Sequence, residues 1–267
     1  GVLDLLISAE NDPDNPYFLI LDEMNLSHVE RYFADFLSAM ESVKREIKLH
    51  PDTAEWRNSD VPPVLNLPRN LYIIGTVNID ETTYMFSPKV LDRAHVIEFR
   101  VSKDEMKSFL GKGGNVNLEI ISGLGSQMGQ SFVEMSNESV AENDNFENEL
   151  MPFFEKLQEA YAEFGFRTAS EISTFIKKCT WLVNGEMTRD EIVDAAIMQK
   201  LLTKLHGSRN RIERKLKDLG SLCLHNDGQT VFGDMPADNI RYPVSYEKLK
   251  RMHERVVSDG FTSYAEA

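Results

Sequence analysis

The sequence has few cysteines: two among 267 residues, Cys179 and Cys223, far apart and in no CxxC spacing. This scarcity argues against a disulfide framework or a cysteine-based zinc site and predicts reduced thiols in a cytoplasmic protein. Long apolar runs are also lacking, because none approaches the roughly 20 residues that a membrane-spanning helix requires. The first residues do not have the pattern of a signal peptide. We therefore expect a cytoplasmic protein that does not contact a membrane.

Basic residues are in deficit, with 29 Lys and Arg against 43 Asp and Glu and a net charge of −14. A broad nucleic-acid-binding face requires clustered Lys and Arg at the phosphates, so this balance argues against one on this chain. The composition is otherwise that of an ordinary globular protein, at 42% hydrophobic and 27% charged residues. The length suits one large or two modest domains.

Short apolar runs predict three strands: YFLIL (17–21), LYIIGT (71–76) and HVIEF (95–99). Continuous runs of this kind are typical of strands that are buried on both faces in a parallel sheet. Ser102 and Glu105 form a capping box ahead of a helix that Gly111 ends. Strands that alternate with helices predict an α/β layer with a parallel sheet.

Two intervals interrupt this alternation. Residues 44–70 combine the alternating KREIKLH with a turn-rich stretch and predict a hairpin-like excursion. Residues 111–149 are rich in Gly, Ser, Asn and acids and predict a flexible linker or insertion. From residue 150 the apolar positions recur at helical spacing. The expected division is an α/β part over 1–110, a linker over 111–149 and an all-helical domain over 150–267.

The acid pair Asp22 and Glu23 directly follows the first apolar run. The carboxyl ends of parallel strands face the crevice in which α/β sheets bind ligands. One carboxylate there can hold Mg²⁺, which prefers oxygen ligands. The next can orient or deprotonate an attacking water. Taken alone, the segment is equally compatible with a strand end that simply meets solvent.

Two further segments add polar groups. Asn78 follows the second run, and its amide can bind both a phosphate and a water, although such a residue alone is more often part of a turn. Arg93 lies in FSPKVLDRAHVIEF, where Pro88 is typical of a helix start. An arginine there can reach the phosphate of a neighbouring subunit as an arginine finger. The alternative is a surface arginine paired with Asp92 or Glu98.

The order of these segments resembles the AAA+ ATPases, and within them most closely the McrB-type branch, the motor subunits of modification-dependent restriction systems. LILDEMNLSHVERYFADFLSAMES is similar to that branch's Walker B strand and following helix. NLYIIGTVNIDETTYMFSPKVLDRA is similar to its sensor 1 strand and arginine-finger region, and FGFRTASEISTFI resembles the sensor 2 region of its lid. AAIMQKLLTKLHGSRNRIERKL and YEKLKRMHERVVSDGFTSYAEA also resemble lid segments. The resemblance covers nearly the whole chain apart from 101–149.

Carried over by position, the resemblance implies that Asp22 holds Mg²⁺ and Glu23 activates water. It implies that Asn78 is the sensor 1 residue, which contacts nucleotide and water, and that Arg93 is the finger donated to the next subunit. Arg167 would be the sensor 2 residue that contacts nucleotide from the lid, with a local ion pair at a helix start as the equal alternative.

The same resemblance implies a partial AAA+ parallel-sheet core followed by an all-helical lid domain. The implied cofactors are Mg²⁺ and ATP or GTP, and the implied partners are other AAA+ subunits in a ring and a nuclease subunit. DNA would be contacted indirectly or through domains absent from this sequence. The stretch IDETT after Asn78 is acidic where GTP-preferring relatives have a basic residue, which favours ATP.

The sequence departs from the family in one respect, since no G-x-x-x-x-G-K-[ST] occurs in it. This P-loop supplies the backbone N–H groups and the lysine that hold the β- and γ-phosphates. GKGGN at 111 lacks the spacing and follows the motifs it should precede. Together with the start at Gly1, this predicts a fragment from Walker B to the lid that does not hydrolyse nucleotide by itself.

Two other functions fit the same segments. One is a non-catalytic scaffold or interaction module within a heteromeric AAA+ ring, although the presence of Asp22, Glu23, Asn78 and Arg93 together argues against it. The other is a MoxR-like chaperone ATPase, which shares these motifs and differs mainly in associated domains.

Overall fold

The computed structural model describes residues 1–51, 62–79, 84–111, 118–139, 145–225, 231–233 and 235–267. The turn-rich tip at 52–61, most of IDETT and most of the glycine cluster after 111 lie outside the described residues. The fold is mixed α/β and mainly helical, and its described strands form three two-stranded sheets. Among the described helices, none has the length and apolar character of a membrane span.

The α-helices, in chain order, are α1 (Val2–Asn11), α2 (Val29–Tyr32), α3 (Ala34–Glu41), α4 (Pro88–Leu91), α5 (Lys103–Gly111), α6 (Gly129–Asn137), α7 (Glu147–Glu159), α8 (Phe166–Val183), α9 (Arg189–Ala196), α10 (Arg209–Leu222) and α11 (Pro243–Asp259). The strands are β1 (Tyr17–Leu21), β2 (Glu46–Lys48), β3 (Val64–Asn66), β4 (Leu71–Gly75), β5 (His206–Ser208) and β6 (Phe261–Ser263). A π-helical turn (Ile197–Leu201) continues α9. Short 3₁₀ turns are Met24–Leu26, Leu118–Ile121, Ser126–Met128, Leu202–Lys204 and Ala237–Asn239.

The chain forms two compact units, each assembled from several segments. The first unit comprises Gly1–Met24, Arg31–Val77 and Ile97–Glu138. The second comprises Asn25–Glu30, Asn78–Val96 and Ser139–Ala267. This division differs from the expected one, because the segment that contains Asn78 and Arg93 belongs to the same unit as the helical domain.

The first two predicted strands are confirmed as β1 and β4, which pair in parallel with Tyr17 opposite Leu71. Their predicted burial on both faces is wrong. Leu19 is buried, whereas the side chains of Phe18 and Ile20 are 46% and 63% exposed. The physical reason is that the described residues around this two-stranded sheet cover the face that carries Leu19 and leave much of the face that carries Phe18 and Ile20 uncovered.

The third predicted strand, HVIEF at 95–99, is wrong. These residues have no regular secondary structure, and Phe99 is 93% exposed. A strand requires a neighbour for its backbone hydrogen bonds, and among the described residues none pairs with this segment. Val96 instead donates its N–H to the carbonyl of Gln199 over 3.1 Å and packs against the helical core.

The predicted excursion over 44–70 contains a hairpin, in which β2 and β3 pair antiparallel with Ile47 opposite Leu65. Asn70 follows it and is 3% exposed. Its side-chain amide donates to the carbonyl oxygens of Ala9, Asp12 and Asn15 over 3.0, 2.9 and 2.8 Å. This single side chain therefore fastens the start of β4 to the connection between α1 and β1.

The interval expected to be a linker, 111–149, contains regular structure. Its helix α6 places the Phe132 ring 5.0 Å from Tyr72 and 6.1 Å from Phe18, measured between centroids. The Tyr72 hydroxyl donates to Ser136 Oγ over 2.6 Å. Phe132 and Ser136 are four residues apart and therefore face the same way on the helix. The polar composition of the interval predicted a linker and gave no indication of this short amphipathic helix.

The helical domain has its own apolar core, to which α7 to α11 contribute. A capping box begins α9, with the Thr188 hydroxyl accepting from the Glu191 N–H. Gly260 ends α11 in the left-handed conformation at φ 78°. Both cysteines are free, and Cys223 is buried in this core, which raises the pKa of its thiol well above the ordinary value.

The N-terminus of α11 is capped from a distance by Asp194 of α9. This carboxylate is 2% exposed and accepts from the N–H groups of Val244 and Ser245 over 2.7 and 2.9 Å. Both are first-turn donors without intrahelical partners. Burial nevertheless outweighs these hydrogen bonds and raises the pKa of Asp194 above its ordinary value.

Candidate functional site

The acid pair lies in the first unit, directly after β1, and Thr76 lies directly after β4. The Thr76 hydroxyl donates to Asp22 Oδ1 over 2.5 Å. The Thr76 hydroxyl oxygen also accepts a hydrogen bond from the Glu23 N–H over 2.8 Å. One hydroxyl at the end of one strand therefore fixes both acidic residues at the end of its parallel neighbour.

Glu23 has a left-handed backbone, with φ 49°. For a residue other than glycine such a conformation costs about 1 to 3 kcal/mol, and residues of this kind occur in turns and cluster at active sites. Backbone bonds from Thr76 to Leu21 (2.9 Å) and from Met24 to Thr76 (3.0 Å) run on past the strand ends. The strained residue is thus held between ordered neighbours.

Gly75 permits the close packing beneath this site. A Cβ atom added to it would lie 2.0 Å from Sδ of Met24, the residue that follows the acid pair. Any larger residue would therefore displace Met24. The sequence places glycine at the last position of β4, immediately before Thr76.

Mg²⁺ fits Asp22 as one ligand among several. Among the described residues there is no group of three or more His, Cys, Asp or Glu side chains that could hold a metal. Mg²⁺, however, commonly binds through one or two carboxylates together with waters and substrate phosphates. Asp22 is exposed and directs one oxygen to Thr76, and no described residue hydrogen-bonds its other oxygen.

Asn78 belongs to the second unit, where Asn25 fixes its backbone. Asn25 is 2% exposed, and its Nδ2 donates to the Asn78 carbonyl over 2.9 Å. The backbone carbonyl of Asn25 accepts a hydrogen bond from the Tyr84 N–H over 3.0 Å. The ring of His28 lies 4.1 Å from that of Tyr84. Asn25 was not among the residues expected from the sequence.

Arg93 lies in the turn after α4, beyond the last helical residue. The predicted helix start is confirmed, with Pro88 in the first turn. Arg93 Nη1 donates to the Lys89 carbonyl. The carboxylate of Asp92, which was considered as a partner for Arg93, forms an ion pair with Lys204. An ion pair within the second unit therefore holds Asp92, the residue next to Arg93.

Arg167 lies in the first turn of α8 and forms the local ion pair considered as its alternative. Its Nε lies 2.9 Å from Oε1 of Glu171, one turn along the helix. Glu171 has a second cationic partner, because its Oε2 lies 2.6 Å from Nζ of Lys200. The carboxylate thus bridges Arg167 to a residue distant in sequence.

Lys200 lies in the π-helical turn, and its side chain is 0% exposed. Besides Glu171, its ammonium group donates to the carbonyls of Asp92 and Ala94 over 3.2 and 3.0 Å. These carbonyls flank Arg93 in the chain. The structure therefore connects Arg167, through Glu171 and Lys200, to the backbone on both sides of Arg93 in the second unit.

The charges of this network shift the pKa values of two groups. Burial alone raises the pKa of Glu171, but the hydrogen bonds from Lys200 and Arg167 outweigh it and leave the pKa below its ordinary value. His95 contacts Gln199 Oε1 over 3.3 Å and the Phe175 ring over 5.2 Å. Burial, and secondarily the charge of Lys200, lowers the pKa of His95.

Sequence reasoning missed Thr76, Asn25, Glu171 and Lys200. Two of them have a recognisable signal. Lys200 is a charge inside the apolar run AAIMQKLL, and Thr76 is a hydroxyl residue at the end of an apolar strand. Glu171 and Asn25 have ordinary surroundings in the sequence, and only the fold brings Lys200 to Glu171 and Asn78 to Asn25.

Comparison with known families gives one match. The family described as a domain of unknown function (DUF8727) matches residues 118–261, more than half of the chain. No curated protein and no solved structure matches the chain. The matched range contains Arg167, Glu171 and Lys200, and it leaves the acid pair, Asn78 and Arg93 outside.

Proposed function

Because the chain belongs to the DUF8727 family, whose description states no function, we propose a function from the chain's own residues. It is the Walker B-to-lid part of a McrB-like AAA+ NTPase that hydrolyses ATP, or GTP, within a ring of subunits. Such a ring would drive a nuclease subunit or remodel a nucleoprotein. DNA would be recognised by other domains or partners, which agrees with the net charge of −14.

The observation that supports this proposal best is the contact of Thr76 with both acidic residues. The hydroxyl donates to the Asp22 carboxylate and accepts from the Glu23 N–H, which fixes the carboxylate of Asp22 and the backbone of Glu23. Asp22 would hold Mg²⁺, which when bound neutralises charge on the phosphate oxygens. Glu23 would accept a proton from the attacking water.

The other polar residues have complementary roles in the proposal. Asn78 would orient the water against the γ-phosphate with its amide. Arg93 would stabilise charge that develops on the phosphate of the neighbouring subunit, and Arg167 would contact the nucleotide of its own subunit. Arg167 would have to leave Glu171 to do so, which the half-exposed position of its side chain permits.

Turnover in the full-length protein tests the proposal. With Mg²⁺ present we expect ATP hydrolysis that exceeds GTP hydrolysis, and we expect Glu23→Gln to lower kcat at least about 100-fold. Glu30→Gln, in the first turn of α2, is the matched control and should leave kcat unchanged. Equal turnover by wild type and Glu23→Gln would refute the catalytic role.

The chain of residues 1–267 alone provides a second test. Since it has no phosphate cradle, it should release phosphate no faster than its own Glu23→Gln variant. Mg²⁺-dependent turnover by residues 1–267 that Glu23→Gln abolishes would contradict the assignment of this chain as a Walker B-to-lid part that depends on a separate P-loop.

A scaffold within an AAA+ ring is the second candidate, and one observation favours it. The family match covers 118–261 and so leaves out the acid pair and Asn78. A scaffold would require the helical part alone. It predicts that the full-length Glu23→Gln protein assembles and supports its partner's activity as wild type does.

A further inference from the structure

We propose that Lys200 is the positioning residue for Arg93: its buried ammonium fixes the backbone on both sides of that arginine. The proposal rests on the proposed function, in which Arg93 acts on the nucleotide of a neighbouring subunit. It also makes a claim about this chain alone, namely that Lys200 holds residues 92–96 in place.

The geometry of the ammonium group supports this role. A lysine ammonium has three N–H donors, and Lys200 has three acceptors within 3.2 Å: two carbonyls and one carboxylate. The Asp92 carbonyl belongs to the peptide unit that precedes Arg93, and the Ala94 carbonyl belongs to the unit that follows Ala94, so Lys200 holds the backbone before and after Arg93. Every donor is used, so the contact is directional as well as electrostatic.

The burial of Lys200 gives the second argument. Burial of a charged side chain away from water is strongly unfavourable unless the charge is paired and hydrogen-bonded. Neighbouring residues of this turn, Ile197, Leu201 and Leu202, are apolar and at most 1% exposed. An apolar residue would satisfy the packing alone, so the charge requires another explanation. Its two carbonyl partners at 92 and 94 provide one.

Neighbouring contacts secure the same short segment. Lys204 forms an ion pair with Asp92, and Val96 donates to the Gln199 carbonyl over 3.1 Å. Gln199 and Lys200 belong to the π-helical turn, a rare form found frequently at functional sites, and Lys204 belongs to the 3₁₀ turn that follows it. Lys200 is the residue of the π-helical turn whose contacts lie on both sides of Arg93.

Glu171 holds the ammonium in place from the opposite side. Its two oxygens bind Lys200 and Arg167 separately, at 2.6 and 2.9 Å. The carboxylate balances the buried charge and sets the direction of the lysine side chain. The Arg93 turn and Arg167 therefore depend on the same anchor.

Steady-state turnover of the full-length protein is the first test. We expect Lys200→Met to lower kcat for ATP about tenfold or more while KM stays within about twofold, as for a lost transition-state interaction. Added to Arg93→Ala, it should cause little further loss, because both variants impair the same group. Lys156→Met is the control, since Lys156 forms a surface pair with Glu159. Losses that add, or a loss no larger than that of the control, would overturn the proposal.

Subunit mixing separates positioning of Arg93 from general damage. In mixed rings, the nucleotide of a Lys200→Met subunit would be contacted by the correctly positioned Arg93 of a Glu23→Gln neighbour. That site would then contain both an intact Glu23 and an intact Arg93. Turnover of the mixture should therefore exceed the sum of the two separate variants. A mixture that shows no such recovery would place the defect in the variant's own site and contradict the proposal.

Amide hydrogen exchange tests the anchoring without nucleotide. In Lys200→Met we expect exchange of the Val96 amide to accelerate about tenfold or more, while α10 amides stay protected. If Lys200→Met fails to fold, the double variant Lys200→Met/Glu171→Gln takes its place in this experiment, because it removes both charges of the pair. Unchanged exchange at Val96 would refute the role of Lys200. Absence of nucleotide turnover in wild type together with faster exchange would refute the proposed function alone.

Discussion

Thr76 donates its hydroxyl proton to Asp22 Oδ1 over 2.5 Å, although 54 residues separate the two in the sequence. The contact exists because β1 and β4 are parallel and in register, so their carboxyl ends coincide. The same hydroxyl accepts from the Glu23 N–H. A hydroxyl residue at the end of one strand thus organises the pair expected to perform the chemistry.

Removal of the Thr76 hydroxyl should impair turnover more than folding. Hydrogen bonds to charged groups contribute about 1.5 to 3 kcal/mol, so we expect Thr76→Val to lower kcat about 10- to 100-fold in the full-length protein. Valine preserves the shape and the β-branch. Thr76→Ser retains the hydroxyl and should keep most of the activity. Equal losses in the two variants would show that the hydroxyl is not what matters.

Asn70 should be a major determinant of the first unit's stability. Asn70→Ala leaves three carbonyls without their donor, and we expect it to lower the free energy of unfolding by about 2 to 3 kcal/mol. Urea denaturation measures this change. Asn66→Ala, which removes an exposed contact to Glu10, should cost at most about 1 kcal/mol. A similar cost for both would contradict the importance of the buried contacts.

Asp194, which caps the N-terminus of α11, can be compared with a nearby aspartate of the second unit that makes a more exposed contact. Asp194→Ala removes the acceptor for Val244 and Ser245 and should destabilise the unit by about 2 kcal/mol. Asp190→Ala, nearby in α9, breaks a partly exposed pair with Arg241 and should cost at most about 1 kcal/mol. Thermal unfolding followed by circular dichroism distinguishes them. A larger loss of stability in Asp190→Ala than in Asp194→Ala would contradict the assignment of Asp194 as the cap of α11.

Acid should weaken the Glu171 network. Its pKa in the folded protein lies below the ordinary 4.5, so the unfolded state binds more protons in the interval between the two values. Its stabilisation is therefore complete above pH 4.5 and is lost as the pH falls through the folded-state pKa. Denaturation midpoints on either side of pH 4.5 should differ less in Glu171→Gln than in wild type. Glu155→Gln, on the exposed surface of α7, should keep the wild-type difference.

Local patterns predicted local structure well. YFLIL and LYIIGT predicted β1 and β4, the Ser102–Glu105 box preceded α5, and Gly111 ended that helix. Each of these features depends on residues within one element or next to it. Their order also led to Asp22 and Glu23, since the end of an apolar strand can be read directly from the sequence.

The features that were predicted wrongly or missed depend on contacts with residues that are distant in the sequence. HVIEF has the composition of a strand but no described partner strand, and Val96 binds the helical core instead. Helix α6 was concealed by a polar composition, although Phe132 packs against two aromatic rings. Lys200 and Thr76 acquire their roles from partners more than 50 residues away. Periodicity within one segment contains no information about such contacts.

Binding and turnover measured on the same samples of full-length Glu23→Gln test the central claim most directly. The proposal predicts that this variant binds ATP and Mg²⁺ as tightly as wild type and traps the nucleotide, while single-turnover hydrolysis falls at least about 100-fold. Hydrolysis at the wild-type rate in the ATP-bound variant would contradict the account.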